Sequence, residues 1–134
     1  MAELEYGLKL QEDTAMQFVC YPKCSTCRKA QIWLDENGID YEMRDIKTDN
    51  PSAGEIEKWC AASGLPLKKF FNTSGNAYKE LGLKDKLSEM SEREQIELLA
   101  TDGMLVKRPI VVGKGFVLVG FRPEEWKDKL PVRS

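Results

Sequence analysis

Hydrophobic and polar positions along the chain fall into segments with two distinct periods. The stretch "MQFVCY" (16–21) is a short apolar run of β-formers, closed by Pro22, and predicts a strand. In "STCRKAQIWLDEN" (25–37) Cys27, Ala30, Trp33 and Leu34 share one helical face, and Gly38 stops the helix. The period then changes to two. In "IDYEMRDI" (39–46) Ile39, Tyr41 and Met43 alternate with Asp40, Glu42 and Arg44, which predicts a second strand. Strand, helix and strand with short connections make a βαβ unit with parallel strands.

Two capping boxes follow, Ser52 with Glu55 and Ser91 with Glu94, each opening a helical pattern. The first of these helices carries Ile56, Trp59 and Cys60 and ends near Gly64; the second carries Ile96, Leu98 and Leu99 and ends near Gly103. Between them, "LPLKKFFNTSG" and "YKELGLKDKL" read as short helical turns. Strands return at "RPIVVG" (108–113) and "FVLVG" (116–120), joined by a tight turn at Gly113-Lys114-Gly115. Pro123 begins a terminal helix, "PEEWKDKL". The order β-α-β, helices, β-β-α predicts an α/β protein. Its architecture is a thioredoxin-like (glutaredoxin-like) fold, a central mixed four-stranded sheet with an inserted helical region. Residues 16–134 form one domain in this reading. Residues 1–15 are a mixed, charged extension or cloning remnant, left out of the fold.

The 134 residues are 42% hydrophobic and 31% charged, with a net charge of −2, as expected of a soluble single domain. Interspersed charge gives no argument for direct binding of nucleic acid or an anionic membrane. No apolar run approaches the roughly 20 residues of a membrane helix, and no secretory signal opens the chain. A cytoplasmic setting follows as an expectation, where thiols are kept reduced. Histidine is absent altogether, which excludes Ser-His-Asp triads, Cys-His dyads and Cys-His zinc sites.

Chemistry therefore turns to "FVCYPKCSTCRKA" (18–30), which holds Cys20, Cys24 and Cys27. Cys24 falls at a strand-to-helix turn, where free N–H groups and the helix dipole stabilise a thiolate. Lys23, Arg28 and Lys29 lie nearby in sequence. Such surroundings take a cysteine from about 8.5 towards roughly 3.5–7.5. Cys27, one turn on and facing inward, is placed to close a disulfide with Cys24, and a C-x-x-C beside a βαβ pattern is a redox motif. The bland alternative is two unreactive cysteines at a helix start. The spacing Cys20-x3-Cys24-x2-Cys27 also matches a cluster-binding pattern, but the chain is too short for the barrel that houses such clusters. A four-cysteine zinc site would need the distant Cys60 without a second C-x-x-C. No metal is expected, and Cys20 and Cys60 read as core residues acting as small hydrophobes.

"YPKCSTCRKAQIWLDENGIDYE", with "KRPIVVGKGFVLVGF" far downstream, resembles the arsenate reductase (ArsC), Spx and MgsR family over roughly residues 16–130. The resemblance implies a thioredoxin-like fold with a helical insertion. It implies for the reductases a cysteine nucleophile, three oxyanion-binding arginines and regeneration through glutathione and glutaredoxin. For Spx-like members it implies a C-x-x-C switch and binding to RNA polymerase. Cys24 matches the nucleophile. Arg108, before a cis proline implied at Pro109, matches one oxyanion arginine; its bland alternative is a strand-end surface cation. Lys68 and Lys69 stand where another arginine is expected, and Phe121, followed by Arg122, stands at the last. Lysine lacks the planar two-point fork of arginine. Lys68 and Arg122 are candidate substrate-binding residues, or else solvated charges.

The sequence thus predicts a cytoplasmic thiol oxidoreductase. Cys24 attacks, Cys27 resolves, and Arg108 offers charge to a small oxyanion or disulfide substrate; Lys68, Arg122 and Pro109 complete the binding set. No cofactor is expected, with glutathione, glutaredoxin or thioredoxin as reductant, and the protein is expected to be a monomer. The competing class is an Spx-like regulator whose disulfide alters a polymerase-contact surface.

Overall fold

The computed structural model describes residues 16–131; the extension expected at residues 1–15 lies outside the described residues. Strand β1 (Gln17–Cys20) is followed by helix α1 (Ser25–Glu36) and strand β2 (Glu42–Asp45). Helices α2 (Ala53–Ser63), α3 (Asn76–Glu80), α4 (Leu83–Lys86) and α5 (Glu92–Thr101) come next, with 3-10 turns at Leu67–Phe70, Leu87–Glu89 and Gly103–Leu105. Strands β3 (Ile110–Gly113) and β4 (Phe116–Val119) and helix α6 (Pro123–Lys129) complete the described chain. The sheet order is β2-β1-β3-β4, with β1 parallel to β2 and antiparallel to β3, and β3 antiparallel to β4. This is the mixed sheet of a thioredoxin-like fold, with α2 to α5 as the insertion.

Alternation along β1 divides the core in two. Phe18 and Cys20 point to one face and pack with Cys27, Ala30, Leu34, Val111, Leu118 and Trp126, beneath α1 and α6. Val19 points to the other and packs with Ile56, Trp59, Leu99 and Ile110 beneath the insertion. All of these residues are buried, so both faces of the sheet are covered.

Local signals set the helix ends. Gly38, at φ 67, is in the left-handed region, and the Ile39 N–H reaches back to the Leu34 carbonyl at 3.0 Å, which ends α1. Both capping boxes form. Ser52 Oγ accepts from the Glu55 N–H at 3.1 Å and Glu55 Oε1 accepts from the Ser52 N–H at 3.0 Å. Ser91 and Glu94 repeat the exchange at 3.1 and 2.9 Å. Each hydroxyl cap contributes about 1 kcal/mol.

The second strand differs from expectation. It is shorter than residues 39–46, because Ile39 to Tyr41 form the connection from α1. Tyr41 packs edge-on against Phe18 and donates its hydroxyl to Asp35 Oδ1 at 2.7 Å. Met43 shares the predicted face but is 46% exposed, since β2 is an edge strand. Arg44, on the polar side of the alternation, is the half-buried residue. It spans Glu55 with Nη1–Oε2 at 2.7 Å and Nη2–Oε1 at 2.9 Å, and lies over the Trp59 ring.

Candidate functional site

Cys24 is the N-cap of α1. Its backbone is extended (φ −86, ψ 126) and its side chain makes no capping bond to the first-turn amides. The Cys24 N–H donates to the Tyr21 carbonyl at 2.9 Å, and its carbonyl accepts from the Arg28 N–H at 3.0 Å, so the loop is held at both ends. The thiol is partly buried and lines a groove of about 960 Å³ between the sheet's end and the insertion.

Cys27 sits one turn deeper and is buried. Its Sγ accepts from the Tyr21 N–H at 3.3 Å. The neighbouring sulfur of the fully buried Cys20, and burial itself, push the Cys27 thiol up. Cys20 and Cys27 belong to one buried cluster with Cys24 packed against it, only Cys24 lines the groove, and all four cysteines are free thiols. Cys60 is half-buried on the other side of the sheet, with its thiol on the Leu65 carbonyl at 3.4 Å. No group of three metal-ligating side chains is assembled among the described residues.

Arg108 also lines the groove. The Arg108–Pro109 peptide is cis, and the guanidinium lies 5.3 Å from the centre of the Tyr21 ring. Its Nε and Nη1 are buried with no hydrogen-bond partner. A solvated strand-end cation does not fit that burial. Buried N–H donors are almost always satisfied, so two unpartnered donors on one charged fork are unusual.

The other candidates fall as follows. Lys68, in the 3-10 turn of the insertion, and Arg122, the N-cap of α6, are exposed and line the groove. Pro109 is buried and does not line it; its carbonyl accepts from the Gly120 N–H at 2.8 Å and fixes the neighbouring wall. Phe121 lines the groove but packs edge-on against Trp126 at 4.9 Å and Trp33 at 6.3 Å, so this wall offers an aromatic ring and no side-chain donor. Lys23, Arg28 and Lys29 are exposed and lie outside the lining; the Arg28 Nε donates to the Pro22 carbonyl at 3.2 Å. Sequence reasoning missed Lys84 and Lys107, which do line it. Lys107 carried a signal, its place directly before Arg108; Lys84 carried none.

A thioredoxin-like sheet with a cysteine at the first helix start, faced by an arginine before a cis proline, defines a class of thiol-bearing proteins. Within it the chain belongs to the ArsC family, which it matches over residues 20–129. It is 50% identical over 114 residues to the uncharacterized protein YusI of Bacillus subtilis (strain 168), covering 85% of this chain and 97% of that one. It is 28% identical over 110 residues to the regulatory protein MgsR of the same organism, covering 82% and 86%. Among solved structures it is similar to an ArsC family related protein from Bacteroides fragilis (59% identity, TM-score 0.84, 87% and 98% covered). A possible arsenate reductase from Streptococcus mutans UA159 is similar too (50% identity, TM-score 0.78, 85% and 98% covered). No helix of the described residues is long and apolar enough to cross a membrane.

Proposed function

We propose that this protein is a thiol-dependent reductase in which Cys24 is the nucleophile and Cys27 the resolving thiol. One observation carries the reading: Cys24 and the orphaned guanidinium of Arg108 line the same groove, with Cys27 directly beneath. The Cys24 thiolate attacks one sulfur of a substrate disulfide, forming a mixed disulfide and releasing the first substrate thiolate. Cys27 then attacks the Cys24 sulfur. Its proton passes to the departing second thiolate, and a Cys24–Cys27 disulfide remains. Two electrons have moved from the pair to the substrate. A dithiol such as reduced thioredoxin or glutaredoxin, or two equivalents of glutathione, returns them. Arg108 binds an anionic group of the substrate, and Lys68 and Arg122 add charge without a buried fork.

The reaction is tested with a small disulfide and a thioredoxin- or glutaredoxin-coupled system. Turnover is expected from the intact protein and none from Cys24→Ser, while Cys27→Ser is expected to accumulate the mixed disulfide. Turnover that survives Cys24→Ser overturns the assignment.

A second reading is supported by the likeness to the regulator MgsR. In it the same disulfide changes a surface that contacts RNA polymerase. Oxidation-dependent co-purification with polymerase, without disulfide turnover, would favour it.

A further inference from the structure

Six cations line the groove around Cys24: Lys68, Lys69, Lys84, Lys107, Arg108 and Arg122. Glu125 is the one acidic residue in the lining, and none of the six cations makes an ion pair among the described residues. The chain as a whole carries a net charge of −2, so this concentration of positive charge is local. Like charges gathered in a concave surface repel one another and focus a positive potential, which an anionic ligand relieves.

The size of the groove narrows the ligand. A tetrahedral oxyanion takes up only a few water volumes, on the order of 100 Å³. The groove holds about 960 Å³, at the upper end of ligand sites. Its cations also come from separate parts of the chain: the Leu67–Phe70 turn, α4, the approach to β3, and the start of α6. Asn72, Thr73 and Ser74 add neutral donors and acceptors between them, of the kind that meets a peptide backbone. A small ion bound at Arg108 would leave the other five charges unanswered.

Building on the thiol-reductase reading, we propose that the substrate is a polypeptide disulfide whose cysteine is flanked by aspartate or glutamate residues. Its carboxylates meet the lysines and Arg122, one reaches Arg108, and its sulfur is presented to Cys24. A nucleic acid would answer the charge but brings no sulfur to the thiol. The exchange is the one described above: the Cys24–substrate S–S bond forms as the substrate disulfide breaks, and Cys27 then releases the peptide as a thiol.

The test uses three cysteine peptides as 2-pyridyl disulfides, with the cysteine flanked by glutamates, glutamines or lysines, and follows release of pyridine-2-thione. The rate is expected to fall in the order acidic, neutral, basic. The acidic peptide should lead the basic one by roughly tenfold or more at low salt, and the gap should close as salt rises. In the Lys69→Glu, Lys84→Glu double variant that order is expected to collapse or invert, with circular dichroism checking the fold. Equal rates for the three peptides, in the intact protein at low salt, overturn the peptide proposal and leave the reductase reading standing. An unchanged preference in the double variant overturns the placement in this groove. Release of thione from none of the peptides overturns both readings.

Discussion

The guanidinium of Arg108 stacks over the ring of Tyr21, at 5.3 Å from its centre, and keeps two buried nitrogens without a partner. Tyr21 also supplies the carbonyl and the N–H that hold Cys24 and Cys27, so one residue ties the cation to both thiols. Replacing Arg108 by methionine keeps much of the stacking bulk and removes the fork. The expected result is a loss of about tenfold to a hundredfold in kcat/KM for anionic disulfides, the worth of hydrogen bonds to charge. The loss for a neutral disulfide should be much smaller. Equal losses for both would show that Arg108 only supports the loop.

Arsenate reduction is expected to be weak. A tetrahedral oxyanion must be held in line with the Cys24 sulfur, and Lys68 and the ring of Phe121 offer no planar fork for that purpose. One missing positioned donor costs on the order of 10²–10³ in rate. A glutaredoxin-coupled arsenate assay should find little turnover beside the disulfide reduction proposed above. Robust arsenate turnover would show that the lysines and Arg122 form a working oxyanion site.

Glu55 caps α2 and pairs with Arg44 through the same carboxylate, and the Arg44 hydrogen bonds hold its pKa at about 2 against an ordinary 4.5. A depressed folded-state value means stability that is present above 4.5 and lost as pH falls towards about 2. Urea midpoints for the intact protein should fall through that window. Glu55→Gln should be less stable at neutral pH and show a flatter fall. A variant with the same slope as the intact protein would place the acid sensitivity elsewhere.

The neighbouring Cys20 sulfur is the largest cause holding the Cys27 thiol up, ahead of burial. Replacing Cys20 with alanine removes that sulfur, so Cys27 should lose its proton at lower pH. Alkylation of Cys27 followed against pH, in a Cys24→Ser, Cys60→Ser background, should shift to lower pH in the Cys20→Ala protein. An unmoved profile would mean that burial alone governs Cys27.

What the sequence made legible was mostly local. Ser52–Glu55, Ser91–Glu94 and Gly38 act within one turn of chain, so their spacing is their structure. Cys24 at a helix start was legible for the same reason. Features that depend on tertiary neighbours were not. Alternation placed Met43 and Arg44 on the correct faces of β2, but burial followed the sheet order, which left Met43 at an edge and gave Arg44 a partner on α2. The helix expected to end near Gly103 ends at Thr101, but the close approach that requires the glycine was not legible: a side chain at Gly103 would overlap the Ile46 carbonyl. The groove joins residues around 24, 68, 84, 108 and 122, and no short pattern announces such a meeting. Arg108 could be singled out, but its missing partners could not.

The thiols and the insertion occupy different parts of the architecture. Cys20, Cys24 and Cys27 belong to β1 and α1, anchored in the core beneath α1 and α6, whereas much of the facing wall comes from the segment between α2 and α5. Reactivity and recognition are therefore modular. The exposed residues of that segment, such as Lys68, Lys69 and Lys84, can vary in charge without touching the packing of Cys20 and Cys27. On the thiol-reductase reading proposed above, a single scaffold of this kind accepts new clients by changing the exposed residues of one wall.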